Sequence, residues 1–373
     1  MFLPAGSQDE TGVQIANRLK ASEIFRKVTE KRNFKAISTP VVEYAHTFTN
    51  KIAGMDLQSM LKWFNSEGEI EVLRPDWTAA VARAIAKQHP SFQKWAYQGS
   101  VFRIDKDGTE SRQAGIEIVH ADPFLGESEC LLTAVDYLKN IDINNYVIEL
   151  GHTRIFEQMI APLQLNQKEE EALRSAMYDK RMDLVEDLLI NHSSEIKQDL
   201  VSLIDAYGGK EVISQYEIVW ADQPELLSIL DHIRKLIELL ESTGLSEIIV
   251  DLGRVKNLPY YDGIMFRGFI TKDGSTCFSG GRYDRLYRQF EQETSAVGLA
   301  FDVDLLAQHM ITENSLSRGC IIAAPETHAI AEKYRSELPE DIVDIQYKLE
   351  NEAVYHTVYE VIRENNQYKV VRK

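Results

Sequence analysis

Residues 251–306 read DLGRVKNLPYYDGIMFRGFITKDGSTCFSGGRYDRLYRQFEQETSAVGLAFDVDLL. Ile264–Ile270 and Ser275–Phe278 alternate as strands do, and Asp273–Gly274 between them is a hairpin signal. The stretch predicts an antiparallel hairpin that ends in a helix. Two adjacent phenols, Tyr260 and Tyr261, precede it, and a Gly280–Tyr283 turn follows it. An apolar run, Gly298–Phe301, closes the stretch.

Upstream of this hairpin the same sheet is expected to continue. EIIVDL (247–252), Tyr146–Leu150 and a pair of strands ending at Tyr97–Arg103 and starting at QAGIEIVHAD all read as β. The Asp107–Gly108 pair supplies the turn between the last two. Residues 69–74 alternate like a strand, and DWTAAVARAIAKQ reads as a helix with Asp76 or Thr78 near its start. Pro40 interrupts the apolar positions Ile37, Val41 and Val42, which predicts an edge or interface strand because proline cannot donate to a ladder. Residues 9–32 and 127–140 carry helical spacing.

Between about 155 and 243 the pattern changes to helices with apolar positions at i, i+3 and i+4, and Gly208–Gly209 and Gly244 read as helix stops. This predicts a helical insertion between two halves of a sheet domain. After Leu306 a polar join leads to a short strand (CIIAAP), a helix and two further segments, a small C-terminal α/β unit. The expected class is α+β: a mainly antiparallel sheet flanked by helices in a domain spanning 1–310, with a second domain at 317–373.

Composition narrows the function. With 41 Lys and Arg against 58 Asp and Glu the formal charge is −17, which works against non-specific nucleic-acid binding. No apolar run is long enough for a membrane span and no secretory signal is visible at the N-terminus. Three scattered cysteines fit a reducing cytoplasm. Phosphate-loop, zinc-helix and nucleophile-elbow motifs are absent, and the nine histidines show no ligand spacing, so neither a metal nor a cofactor is expected.

Five segments combine polar groups with strand ends: LRPDWTA (73–79), YQGSVFR (97–103), RQAGIE (112–117), KNLPYYDG (256–263) and SGGRYD (279–284). They bring two carboxylates (Asp76, Glu117), an amide (Gln113), a hydroxyl (Thr78) and three phenols (Tyr260, Tyr261, Tyr283). That set suits a small zwitterion with a polar side chain: carboxylates and Thr78 for an ammonium, an arginine for a carboxylate, phenol and acid for a ring nitrogen. Taken singly, each has a plainer reading. Glu117 suits an exposed sheet face, the tyrosines suit β packing, the glycines a turn, and Asp76 a helix cap.

In their order these segments resemble histidyl-tRNA synthetase, a class II aminoacyl-tRNA synthetase, over residues 1 to about 310. LRPDWTAAVAR resembles that family's LRPEGTA segment, YQGSVFR with QAGIE its motif 2, and NLPYY and SGGRYD its histidine-recognition motifs. The resemblance implies that Asp76, Thr78, Gln113, Glu117, Tyr260, Tyr261 and Tyr283 line a histidine pocket. It also implies that Arg103 stands at the phosphate-binding arginine of motif 2, and that the Pro40 segment is a motif 1 dimer interface. Three departures matter. Leu305 stands where motif 3 has an ATP-holding arginine, and Lys256 where the family's RGLDYY has a catalytic arginine. Lysine does not reproduce the planar fork. The tail after 315 is small for an anticodon-binding domain.

A kept histidine pocket with a lost ATP site is similar to a paralogue group, the regulatory subunits of ATP phosphoribosyltransferase. That resemblance implies a non-catalytic, cytoplasmic chain that binds L-histidine, self-associates as a dimer and joins a short catalytic subunit in a hetero-octamer. It also implies that the catalytic subunit needs this chain for activity in the first step of histidine biosynthesis, and that the chain mediates feedback inhibition by histidine. No tRNA or membrane partner is expected. Two alternatives stay open: a divergent histidyl-tRNA synthetase, and a stand-alone amino-acid- or RNA-binding regulator.

Overall fold

The computed structural model describes residues 2–3, 7, 9–86, 91–105, 108–255, 260–311, 316–365 and 367–373. The chain divides into two compact units, Met1–Met310 and Ile311–Lys373. The first unit carries strands β1 (Lys35–Ala36), β2 (Val42–Tyr44), β3 (Lys62–Phe64), β4 (Ile70–Leu73), β5 (Gln93–Asp105), β6 (Gly108–Val119), β7 (Tyr146–His152), β8 (Tyr207–Gly208), β9 (Ile248–Asp251), β10 (Ile264–Ile270), β11 (Thr276–Arg282) and β12 (Ala296–Asp302).

Nine of these make one sheet in the order β1-β5-β6-β12-β11-β10-β7-β9-β8. Only the β1/β5 and β7/β9 pairs are parallel; the other neighbours are antiparallel. The sheet is thus mixed and mainly antiparallel, as the sequence predicts. Strands β2, β4 and β3 form a separate three-stranded sheet. Pro40 falls between β1 and β2, both at sheet edges, which is where a residue without an N–H belongs.

Alternation along the strands sorts the faces. Ile116 and Ile118 of β6, Leu299 and Phe301 of β12, Phe266 of β10 and Leu150 of β7 point into one large core. Helices Val13–Lys31 and Pro123–Asn140 cover that face, and Phe25, Tyr137 and Phe301 meet edge to face at 4.7–6.0 Å. The opposite face therefore carries Gln113, Gly115 and Glu117 of β6, Gly298 of β12, Ser279 and Gly281 of β11, Arg267 of β10 and Glu149 and Gly151 of β7.

Two local expectations need correcting. Gly280, Gly281 and Arg282 are not a turn but the last three residues of β11. Their glycines are required by close strand packing: a Cβ on Gly280 would overlap Gly298 O and lie 2.6 Å from the Phe266 ring. Gly208 likewise is not a helix stop. The preceding helix, Ser194–Ile204, ends earlier, and Tyr207–Gly208 adds the short strand β8 to the sheet edge beside β9. The 155–243 segment is otherwise helical, with helices at Gln167–Tyr178, Met182–Leu188, Glu211–Val219 and Pro224–Ser242. Lys180, at φ 52°, lies between the first two of these. The expected Asp107–Gly108 turn involves residues 106–107, outside the described residues.

The second unit is a four-stranded sheet, β14-β13-β15-β16, built from β13 (Arg318–Ile322), β14 (Ile342–Gln346), β15 (Thr357–Glu364) and β16 (Gln367–Arg372). Helix His328–Arg335 packs on it through Ala331, beside Ile321 and Ala323. The final segment is a β-hairpin.

Candidate functional site

The site is built around Glu117. Its partner across the ladder is Gly298, and a Cβ there would overlap Glu117 Oε2 and lie 2.5 Å from Ile116 O. Only glycine leaves room for the carboxylate to lie flat on the sheet. Thr78, the first residue of helix Thr78–Ile85, donates to Glu117 Oε1 at 2.8 Å. The Tyr283 hydroxyl, at the end of β11, donates to Glu117 Oε2. Tyr97 on β5 is hydrogen-bonded to both Glu117 and Thr78.

Glu117 is 1% exposed. Burial pushes its carboxyl up to about 8; the hydroxyls of Tyr283, Thr78 and Tyr97 pull it down, and the nearby Asp76 charge pushes it up again. The site thus holds a carboxyl poised at the edge of ionisation, with donors already aimed at its charged form. Burial also raises Tyr260, Tyr261 and Tyr283 above the ordinary phenol range, so all three remain neutral donors.

Asp76 Oδ1 accepts from Ala79 N at 2.9 Å, the cap that the sequence suggests. The same carboxylate also faces the tyrosines, since its charge raises both Tyr260 and Tyr261. Cap and site roles coexist in one side chain. Arg103 Nη2 stands 3.9 Å from Asp76 Oδ2, and its Nε donates to Pro75 O at 2.7 Å. The rings of Tyr260 and Tyr261 lie 4.8 Å apart, and Tyr260 meets Tyr283 edge to face at 6.2 Å. A Cβ on Gly281 would come 2.8 Å from the Tyr261 ring, so that glycine seats the phenol on the sheet.

Seven of the eight expected residues therefore converge: Asp76, Thr78, Arg103, Glu117, Tyr260, Tyr261 and Tyr283. Gln113 shares the face of Glu117, opposite Gly99 and Asp302, but among the described residues its side chain makes no hydrogen bond to the cluster. Lys256 lies outside the described residues. Tyr97 is the residue that sequence reading missed. It stacks on Trp77 at 4.8 Å and lies over Gly115, whose Cβ would overlap the Tyr97 hydroxyl. Its segment was visible as YQGSVFR; its position over Gly115 depends on ladder register.

A cleft of about 900 Å³ reaches the cluster at Tyr261, lined also by Lys51, Thr153, Glu157, Arg174 and Arg285. At the far end of β12, Asp302 Oδ1 accepts from Leu305 N at 2.9 Å and starts helix Val303–His309. The Leu305 side chain packs against the main core. Among the described residues, no group of three or more metal-ligating side chains occurs and no helix is long and apolar enough to cross a membrane.

A sheet of this order, with a motif 2 hairpin and a motif 3 strand–helix around a buried carboxylate, is the class II aminoacyl-tRNA synthetase fold. The histidyl-tRNA synthetase family model matches residues 6–306, and the chain belongs to that family. Curated relatives include ATP phosphoribosyltransferase regulatory subunits. One from Clostridium acetobutylicum is 29% identical over 90% of this chain and 86% of the relative. One from Listeria monocytogenes serotype 4b is 31% identical over 82% and 78%. These relatives put the chain on the regulatory rather than the enzymatic side of the family.

Solved structures agree on the fold. A Bacillus halodurans ATP phosphoribosyltransferase regulatory subunit/histidyl-tRNA synthetase superposes with TM-score 0.83 at 23% identity, covering 96% of this chain and 97% of that one. Histidyl-tRNA synthetase from Nostoc sp. PCC 7120 gives 0.79 at 15% identity, covering 100% and 96%.

Proposed function

We propose that this chain is a histidine-sensing, non-catalytic subunit of an ATP phosphoribosyltransferase. The observation that carries the reading is the buried Glu117 carboxyl, held by Thr78, Tyr97 and Tyr283 with Asp76 beside it. Two carboxylates and a hydroxyl answer an ammonium, neutral phenols answer a ring nitrogen, and Arg103, 3.9 Å from Asp76, offers a cation for a carboxylate. The other half of a synthetase site finds no such support. Leu305 packs on the core and offers no charge to a nucleotide.

In this reading L-histidine binds one quaternary state of the assembly better than another, because only differential affinity shifts an equilibrium. The partner is a short catalytic phosphoribosyltransferase subunit that needs this chain for activity. The regulatory chain itself dimerises, and the complex is a hetero-octamer acting in the cytoplasm in the first step of histidine biosynthesis. Isothermal titration of the purified chain with L-histidine tests the pocket. Saturable binding that disappears in Glu117→Ala is expected. No binding at millimolar histidine, or equal binding by wild type and variant, overturns it. A histidine-dependent ATP–pyrophosphate exchange activity would make the chain a synthetase instead.

A further inference from the structure

The polar face of the sheet does not end at the Glu117 cluster. Continuing across it, Met265 of β10 pairs with Gly281 on one side and with Gly151 of β7 on the other. Arg254 lies over Gly151, where a Cβ would stand 3.0 Å from the arginine's own Cβ. Beyond it the helical segment covers the sheet but leaves two adjoining grooves, of about 460 and 630 Å³. Both are lined by Lys180, Asp251 and Arg267. The smaller adds Arg254, Thr276 and Ser279; the larger adds Val147, Tyr207, Ile249 and Phe269.

The charged groups there are only partly paired. Glu149, 1% exposed, binds Arg267 at 2.7 and 2.9 Å through Nε and Nη2, and binds Arg254 as well. One carboxylate thus serves two guanidiniums, and Nη1 of Arg267 takes no part in that fork. Asp251 is 2% exposed. Its Oδ2 faces Lys180 Nζ at 3.2 Å, while its Oδ1 has no hydrogen-bond partner among the described residues. A buried acceptor without a donor is expensive to maintain in a core and is expected where a ligand supplies the donor. Burial raises the Asp251 carboxyl above its usual range, and Lys180 pulls it back.

We propose that these grooves are a second small-molecule site, taking a free amino acid whose ammonium meets Asp251 and whose carboxylate meets Lys180 and Arg267. The side chain would lie along Val147, Ile249 and Phe269, beside the Tyr207 and Phe269 rings that Lys180 and Arg267 overlie at 5.0 and 4.5 Å. Formal charge favours a zwitterion over a phosphate. Three cations (Lys180, Arg254, Arg267) face three carboxylates (Glu149, Asp205, Asp251), so the lining carries no net charge, and a dianion placed beside Asp251 would meet like charge. The site is independent of the Glu117 reading, since it shares none of that cluster's side chains.

The test uses the full-length chain carrying Glu117→Ala, which removes the first pocket. The nineteen L-amino acids other than histidine and inorganic phosphate are titrated calorimetrically at millimolar concentration. At least one amino acid is expected to bind saturably, and Lys180→Ala or Asp251→Asn is expected to weaken it about tenfold or more, the scale of one charged hydrogen bond. Lys180 is 42% exposed, so its substitution keeps the test sound where Asp251→Asn fails to fold. Absence of amino-acid binding to the Glu117→Ala chain, indifference to Lys180→Ala, or binding of phosphate alone overturns the proposal. Loss of histidine binding in wild type would overturn the first pocket and leave this one standing, so the two failures are distinguishable.

Discussion

The two ends of β12 can be set side by side. Near its start, Gly298 gives up a side chain so that Glu117 can lie buried among three hydroxyls. At its end, Asp302 caps a short helix whose Leu305 turns into the core. The first end keeps an expensive group: a carboxyl without water, pushed up to about 8 by burial. At the second, Leu305 packs as in an ordinary strand–helix corner, and the nearby Arg18 and Arg112 are paired with Glu10 and Asp304. A fold under no demand for a ligand has no reason to hold Glu117 in this way, since an apolar residue there would be cheaper. The proposed histidine pocket therefore lies at one end of the strand.

The sharpest way to break this comparison is to fill the space at Gly298. In Gly298→Ala the new methyl meets Glu117 Oε2 and Ile116 O, and the second is backbone in a central strand that cannot yield. A loss of about 3 kcal/mol in urea unfolding is expected, with histidine binding abolished. Unchanged stability would mean that the carboxylate has another place to go.

Glu117→Gln separates charge from shape. It keeps the side chain's shape, with one hydroxyl turned to accept from the amide, but leaves no carboxylate for an ammonium, and affinity for L-histidine is expected to fall on the order of 100-fold by calorimetry. Stability should move the other way. A folded-state value near 8 against an ordinary 4.5 means that the folded chain retains a proton that the unfolded chain releases. That contribution is fully present below about pH 4.5 and is lost as pH rises towards 8. Glutamine does not titrate, so the variant should gain on wild type by a few kcal/mol between pH 5 and pH 8, read from parallel urea titrations. A constant difference across that range would show that Glu117 is already ionised in the folded chain.

A smaller effect sharpens the same point. Histidine's ammonium needs Glu117 ionised, so binding should release a proton below pH 8. From the ionisation of Glu117 alone, affinity should rise about fivefold from pH 7 to pH 8 and by about twofold more above it, and calorimetry in two buffers of different ionisation enthalpy would show the proton. A flat profile would assign the ammonium to Asp76 alone.

Much of this was legible in the sequence because it is local. Alternation in β6 and β10, the Asp273–Gly274 hairpin turn and the cap at Asp76 follow from neighbouring residues. Convergence of Thr78, Glu117 and Tyr283 was readable only through motif order, since 39 and 166 residues separate the hydrogen-bonded pairs. What escaped depends on register between strands. Gly280–Gly281 has the composition of a turn, and only the facing Gly298 and Phe266 show it to be strand. Tyr97 enters the cluster because Gly115 happens to lie opposite. The two-residue β8 carries too little pattern to be distinguished from a helix stop.

The smallest expected effect concerns the other end of β12. Leu305→Arg restores the charge that a synthetase carries at that position, yet it should not restore nucleotide chemistry. The new guanidinium would arrive beside Asp302 and Asp304, and Asp304 already faces Arg18 at 3.3 Å and accepts from Arg112 N at 2.8 Å. An arginine three residues from Asp302 on a helix pairs with it rather than projecting towards a phosphate. Losing the leucine's packing should cost about 1 kcal/mol, while histidine affinity stays within about twofold. ATP–pyrophosphate exchange should remain at background, because stabilising a transferring phosphate takes several preorganised cations rather than one. A histidine-dependent exchange signal from this single variant would mean that the nucleotide end of the sheet is intact apart from one side chain, and that the contrast between the two ends of β12 is a single substitution deep.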